Sequence, residues 1–61
     1  MSLLERVYFL HNQLSQNRYP NSRTLMEEFE ISLPTARRDF AYLRDRLLAP
    51  IEFDQKKNGF Y

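Results

Sequence analysis

Hydroxyl and guanidinium groups occur close together between Ser32 and Arg38, in the sequence S-L-P-T-A-R-R. Ser32 and Thr35 are three residues apart, and Arg37 and Arg38 follow. A helix that begins after Ser32 therefore carries these side chains within its first two turns. The N–H groups and the positive dipole end of a helix N-terminus attract anions, and arginine donates to phosphate oxygens or to base edges. This stretch therefore predicts an anion-binding surface.

The residues that most other chemistries need are missing. The chain has 61 residues, no cysteine and one histidine, His11, so thiolate metal sites and disulfides are excluded and a zinc site lacks ligands. It also has no nucleophile–base pair, no metal-ligand cluster and no glycine-rich phosphate loop. We therefore expect no enzymatic activity, no cofactor and no metal.

The composition predicts one small folded domain over residues 1–61, because 43% of the residues are hydrophobic and 28% are charged. No apolar run approaches the roughly 20 residues of a membrane span, and a secretory signal is absent. We therefore expect a cytoplasmic protein with no membrane partner. The net charge is −1 in residues 1–30 and +2 in residues 31–61, a small basic excess that favours a nucleic-acid partner.

The first predicted helix covers about residues 2–16 and starts with the capping box formed by Ser2 and Glu5. Its apolar stripe comprises Leu3, Val7, Leu10, His11 and Leu14. This stripe places His11 at the edge of the core. Phe9 lies about 100° beyond the stripe, so we expect it to be exposed and to be a possible dimer or interdomain contact.

Two more helices are predicted, over residues 22–29 and 33–47. Asn21 and Ser32 are their N-caps, and Pro50 ends the third. The core face of the third helix comprises Ala36, Phe40, Leu43 and Leu47. Its opposite face carries Pro34, Arg38, Ala41 and Asp45, flanked by Arg37 and Tyr42. Asp39 lies at the edge of the core face, where a structural hydrogen bond or ion pair is expected.

Residues 51–54 alternate apolar and charged side chains, which predicts a half-buried strand, and a polar turn with Asn58-Gly59 follows it. Phe60 and Tyr61 begin the return strand, and two residues are too few to pair with four. We therefore expect a hairpin over residues 51–61 that is truncated at its C-terminal end. The chain is accordingly predicted to be the N-terminal part of a longer protein.

The predicted fold is mainly α with a small β-hairpin: a three-helix winged helix-turn-helix. A short helix, a turn of about three residues and a helix with a basic outer face predict sequence-specific binding of double-stranded DNA, with residues 33–47 in the major groove. The hairpin would be the wing, with Lys56 and Lys57 near the DNA backbone. The candidate DNA-binding residues are Ser32, Pro34, Thr35, Arg37, Arg38, Ala41, Tyr42, Lys56 and Lys57.

The sequence from Ser32 to Arg44 resembles the S-x-x-T-x-x-R-D-x-x-x-L stretch of DeoR-type winged helix-turn-helix domains. Together with residues 49–61, it is most similar to the N-terminal domain of bacterial WYL-domain transcriptional regulators. The resemblance implies a nucleoid-associated regulator that dimerises through regions outside this chain. It also implies that Thr35 and Arg38 contact DNA and that Asp39 is structural.

The chain departs from the family pattern at two positions. Glu30 stands where the turn often has glycine, so we expect a less tight turn. Pro34 stands where a basic residue is common, which removes one phosphate or base contact. A winged helix that mediates protein association is the alternative, because the net charge is modest and Phe9 is predicted to face outward. Salt-dependent binding to random duplex DNA distinguishes the two.

Overall fold

The computed structural model describes residues 2–61. Over this range the helices are α1 (Leu3–Ser15), α2 (Ser22–Phe29), α3 (Leu33–Ala41) and a π-helical turn (Tyr42–Arg46), and the strands are β1 (Phe53–Asp54) and β2 (Gly59–Phe60). The described chain is therefore mainly helical with one small antiparallel sheet, as predicted. None of its helices is long and apolar enough to cross a bilayer.

Each α-helix begins at the predicted cap. The backbone N–H of Glu5 donates to Ser2 Oγ at 3.2 Å, and the Ser2 N–H donates back to the Glu5 carboxylate at 3.4 Å. Asn21 and Thr24 form an equivalent reciprocal pair at the start of α2. Ser32 Oγ accepts from the Thr35 N–H at 3.4 Å at the start of α3. A side-chain cap contributes about 1 kcal/mol, so these residues fix where the helices start.

The core contains residues from all three α-helices and from the π-helical turn. Its buried apolar side chains are Leu10, Leu25, Ala36, Phe40 and Leu43. Leu43, in the π-helical turn, continues the apolar face that α3 presents to α1 and α2.

Phe9 belongs to this core, so the prediction that it lies outside is wrong. It is half-buried, packs against the core cluster and meets Phe29 edge-on with ring centroids 5.3 Å apart. His11, which was predicted at the core edge, is exposed. Around the axis of α1, Phe9 and His11 lie about 100° to either side of Leu10. Arg6 lies on the Phe9 side and pairs with buried Asp39, which turns that side inward.

The third helix changes form before its predicted end. It is α-helical only to Ala41, and in the π-helical turn that follows, the Leu47 N–H donates to the Tyr42 carbonyl at 3.1 Å. A π-turn holds one more residue than an α-turn, so later side chains shift around the axis. Leu47, predicted in the core, is consequently 49% exposed. Leu48 ends the segment with a φ of 56°.

The turn between α2 and α3 is tight although it lacks glycine, contrary to the expectation for Glu30. Glu30 adopts the left-handed conformation, with φ 54° and ψ 44°, and its N–H donates to the Met26 carbonyl at 2.9 Å. This conformation costs about 1–2 kcal/mol for a residue that has a Cβ. Ile31 then packs against the core from the turn.

The sheet pairs Phe53 with Phe60 and Asp54 with Gly59. Glu52 and Tyr61 exchange two further backbone hydrogen bonds at 3.0 and 2.9 Å, which continue the ladder toward the predicted start of the strand. Asn58, and not Gly59, takes the positive φ of the turn.

Gly59 is required by a close approach to the loop between α1 and α2. A Cβ there would lie 1.8 Å from the Tyr19 carbonyl oxygen. The next N–H, of Phe60, donates to the Pro20 carbonyl at 2.7 Å. These contacts fasten the hairpin to the helical part of the molecule.

Candidate nucleic-acid interface

The outward face of α3 lies opposite its buried side chains. Pro34 and Arg38 are exposed there, and Ala41 is partly exposed. Arg38 has neither a hydrogen bond nor an ion pair with any residue between 2 and 61. The structure therefore brings together one unpaired cation and two small side chains, as the sequence predicted for this face.

Ser32 and Thr35 form the cap of α3 as well as part of the predicted anion surface. Their hydroxyl oxygens lie 3.1 Å apart, and the Thr35 N–H donates to Ser32 Oγ. The Ala36 N–H donates to the Ser32 carbonyl at 3.0 Å, and Pro34 has no N–H. The first turn therefore has few free donors, and a bound phosphate would interact mainly with side chains.

Arg37 lies on the side of α3 that faces the hairpin. It borders an open groove of about 560 Å³ between α2, α3 and the sheet. The groove is lined by Asn21, Ser22, Arg23, Leu33, Arg37, Phe53, Asn58 and Phe60. Arg23 was not among the predicted site residues, because nothing local in the sequence of α2 shows that the hairpin packs beside it.

The hairpin tip carries the two predicted lysines, both exposed. The Asp54 carboxylate accepts from their backbone N–H groups, at 2.8 Å for Lys56 and 3.0 Å for Lys57, which orders the turn. Lys57 Nζ lies 5.4 Å from the centroid of the Tyr19 ring, within cation–π range. Lys56 has no comparable contact in the described chain and extends from the tip.

Tyr42 is half-buried at the junction of α3 and the π-helical turn. The Arg46 guanidinium lies 5.9 Å from the centroid of its ring. Its other neighbours line a small apolar cavity of about 170 Å³, formed with Leu3, Leu4, Val7 and Leu47. Stacking of Tyr42 on a base would therefore require it to leave these contacts.

A buried ion pair holds α3 against α1. Arg6 Nε donates to Asp39 Oδ2 at 2.5 Å and Nη2 donates to Oδ1 at 3.2 Å, with the side chains 14% and 3% exposed. The hydrogen bond to Asp39 raises the pKa of Arg6 above its ordinary value, against the opposing effect of burial. The predicted structural role of Asp39 is confirmed.

A second pair neutralises part of the charge near the end of α3. Arg44 donates to both carboxylate oxygens of Asp45, at 2.9 and 3.1 Å. The hydrogen bond from Arg44 lowers the pKa of Asp45, and the same bond raises the pKa of Arg44. The net positive charge of the outward face of α3 therefore comes from Arg37 and Arg38 and not from Arg44.

Residues 2–61 hold no group of three or more side chains suited to bind a metal ion. Comparison with protein-family models, curated proteins and solved structures gives no match. The geometry of the α3 surface is therefore the basis on which a function is proposed.

Proposed function

We propose that this chain is a winged helix-turn-helix domain of a bacterial transcriptional regulator, in which α3 enters the major groove of double-stranded DNA. The observation that carries the proposal is the unpaired Arg38 between Pro34 and Ala41, on the face of α3 opposite its buried side chains. The small flanking residues allow close approach to the floor of a groove about 12 Å wide. Arg38 is then long enough to reach the base edges.

The arrangement of α2 and α3 supports the same function. The left-handed Glu30 ends α2, and α3 starts at Leu33 after a turn of three residues. In helix-turn-helix proteins, the N-terminal residues of the second helix contact base edges while the first helix crosses the backbone. The hairpin would be the wing, and Lys56 at its tip would contact phosphate without base preference. Location at the nucleoid and a homodimer formed through other regions of a longer protein belong to this proposal.

The test starts from sequences enriched by the wild-type chain from a randomised duplex pool. We expect Arg38→Ala to reduce the affinity for the enriched duplex by about 1–3 kcal/mol while leaving the affinity for scrambled DNA nearly unchanged. Arg18→Ala is a matched control, because Arg18 is also exposed and unpaired in the described chain but lies in the loop after α1. Equal preference for the enriched duplex in Arg38→Ala and wild type would refute the role of Arg38.

Protein association is the second candidate function, and the exposed leucines favour it. Leu4 is 75% exposed at the start of α1 and Leu48 is 79% exposed after the π-helical turn. A chain that docks on a protein through these residues need not bind DNA with a steep dependence on salt. Absence of salt-dependent binding to any duplex would favour this function over the first.

A further inference from the structure

We infer that the groove between α2, α3 and the sheet holds the sugar–phosphate backbone of one DNA strand, with Arg23 and Arg37 contacting its phosphates. The inference rests on the proposed function and deepens it. It assigns different roles to two adjacent arginines, because Arg37 becomes a backbone contact and Arg38 a base contact.

The charge of the groove fits a polyanion. Arg23 on α2 and Arg37 on α3 both line it, and no acidic residue between 2 and 61 does. Both arginines are exposed and neither has an ion pair or hydrogen bond with the rest of residues 2–61. Asp54 lies nearby in the hairpin, but its carboxylate accepts from the N–H groups of the tip. Two cations on facing elements can therefore bind phosphate oxygens without first breaking a bond within the described chain.

Several residues that line the groove are held in place by hydrogen bonds and ring contacts. Asn21 Oδ1 caps α2, and Asn21 Nδ2 donates to the Asn58 carbonyl at 2.7 Å, which links the hairpin to the start of α2. The ring of Phe60 stacks on that of Phe40, with centroids 4.3 Å apart. The groove is thus preorganised, and less ordering is needed when a strand binds.

The exposed ring of Phe53 adds an apolar contact. It is 46% exposed and meets Phe60 edge-on with centroids 5.2 Å apart. Deoxyribose presents carbon atoms between successive phosphates, so a strand lying between Arg23 and Arg37 can pack its sugar against this ring. An aromatic surface beside two arginines thus suits a nucleic-acid strand better than it suits a simple inorganic anion.

The positions of the two arginines on α3 explain why they would have different roles. Consecutive residues of an α-helix point about 100° apart. Arg37 lies on the same side as Leu33, and both border the groove, whereas Arg38 points away from the core and does not border it. A strand in the groove would run beside α3, which brings the bases of the major groove under Arg38.

The test measures binding of the 61-residue chain to a 20-bp duplex by fluorescence anisotropy at increasing KCl concentrations. The variants are Arg23→Ala and Arg37→Ala, with Arg18→Ala as the exposed control and Arg38→Ala as the base-contact comparison. We expect each groove variant to weaken binding by the same factor on enriched and scrambled duplexes. Each should also reduce the slope of log K against log salt by about 1. Arg38→Ala should instead change the ratio between the two duplexes.

The outcomes separate this inference from the proposed function. If the wild-type chain shows no salt-dependent binding to duplex DNA, the proposed function fails. If the wild-type chain binds DNA and Arg38→Ala loses the preference for the enriched duplex, but both groove variants keep the wild-type slope of log K against log salt, only the groove inference fails. If the groove variants lose binding to a polyglutamate peptide and retain DNA binding, the occupant is an acidic peptide and the inference is overturned. Thermal melting of both variants should match wild type, because the two side chains are exposed and unpaired among residues 2–61.

Discussion

Replacing Arg6 by alanine should be among the most damaging single substitutions in this chain. The variant leaves the Asp39 carboxylate, whose side chain is 3% exposed, without the guanidinium that donates two hydrogen bonds to it. Removing one partner of a buried ion pair costs about 3–5 kcal/mol. Because the Arg6 side chain is 14% exposed and water reaches it in part, we expect about 3 kcal/mol. The whole free energy of unfolding of a chain of this length is about 3–9 kcal/mol.

The measurement is urea and thermal unfolding, followed by circular dichroism. A loss of that size corresponds to a fall in Tm of roughly 12–24 °C for a domain this small. Arg44→Ala is the matched control, since it also removes an arginine bonded to an aspartate. The side chains of that pair are 52% and 60% exposed, so its removal should change stability much less than Arg6→Ala does.

The double variant Arg6→Met with Asp39→Leu tests the physical cause. It removes both charges and fills the same space with apolar atoms, a change that is often neutral or stabilising for buried pairs. We expect it to recover most of the stability lost in Arg6→Ala. If Arg6→Ala is no more destabilising than Arg44→Ala, the Asp39 carboxylate is adequately solvated without Arg6, and the reasoning from burial is refuted.

Two further substitutions test the packing. Gly59→Ala should destabilise the chain by about 1–3 kcal/mol, because the added Cβ would lie 1.8 Å from the Tyr19 carbonyl oxygen. It should also speed amide hydrogen exchange at Phe60, and an exchange rate equal to that of the wild type would contradict the close approach. Phe9→Ala should cost about 2 kcal/mol in thermal unfolding, less than a fully buried phenylalanine, and leave the sedimentation coefficient unchanged. Tyr8→Ala is its control, since Tyr8 is 66% exposed, and equal melting of the two variants would place Phe9 outside the core.

The starts of the helices could be predicted because they depend on neighbouring residues. Ser2, Asn21 and Ser32 each satisfy N–H groups within three residues of themselves. No knowledge of the rest of the fold is needed to find such caps. The outward position of Arg38 was predictable for a similar reason, since helical spacing from the apolar residues of α3 fixes it.

The rotation of α1 could not be predicted from its own sequence. Leu10 is buried under either rotation, at the edge of the predicted stripe and in the centre of the observed buried face, and residues on both sides of it are bulky. The choice depends on Asp39, which is 33 residues from Arg6 in the sequence and lies on another helix. Hydrophobic periodicity treats an arginine as an outward residue and therefore placed His11 inside and Phe9 outside.

The groove could not be predicted from the sequence, for a related reason. Arg23 and Arg37 border one concavity only because the hairpin packs beside α2, and that packing depends on the absence of a side chain at Gly59. Local sequence rules assign a glycine after asparagine to the turn itself, but here Asn58 takes the positive φ. The close approach of Gly59 to Tyr19 depends on the missing Cβ, and no local sequence pattern indicates such a contact. Substitutions at Gly59 should therefore alter DNA affinity through the groove without touching α3, and they should leave the base preference set by Arg38 unchanged.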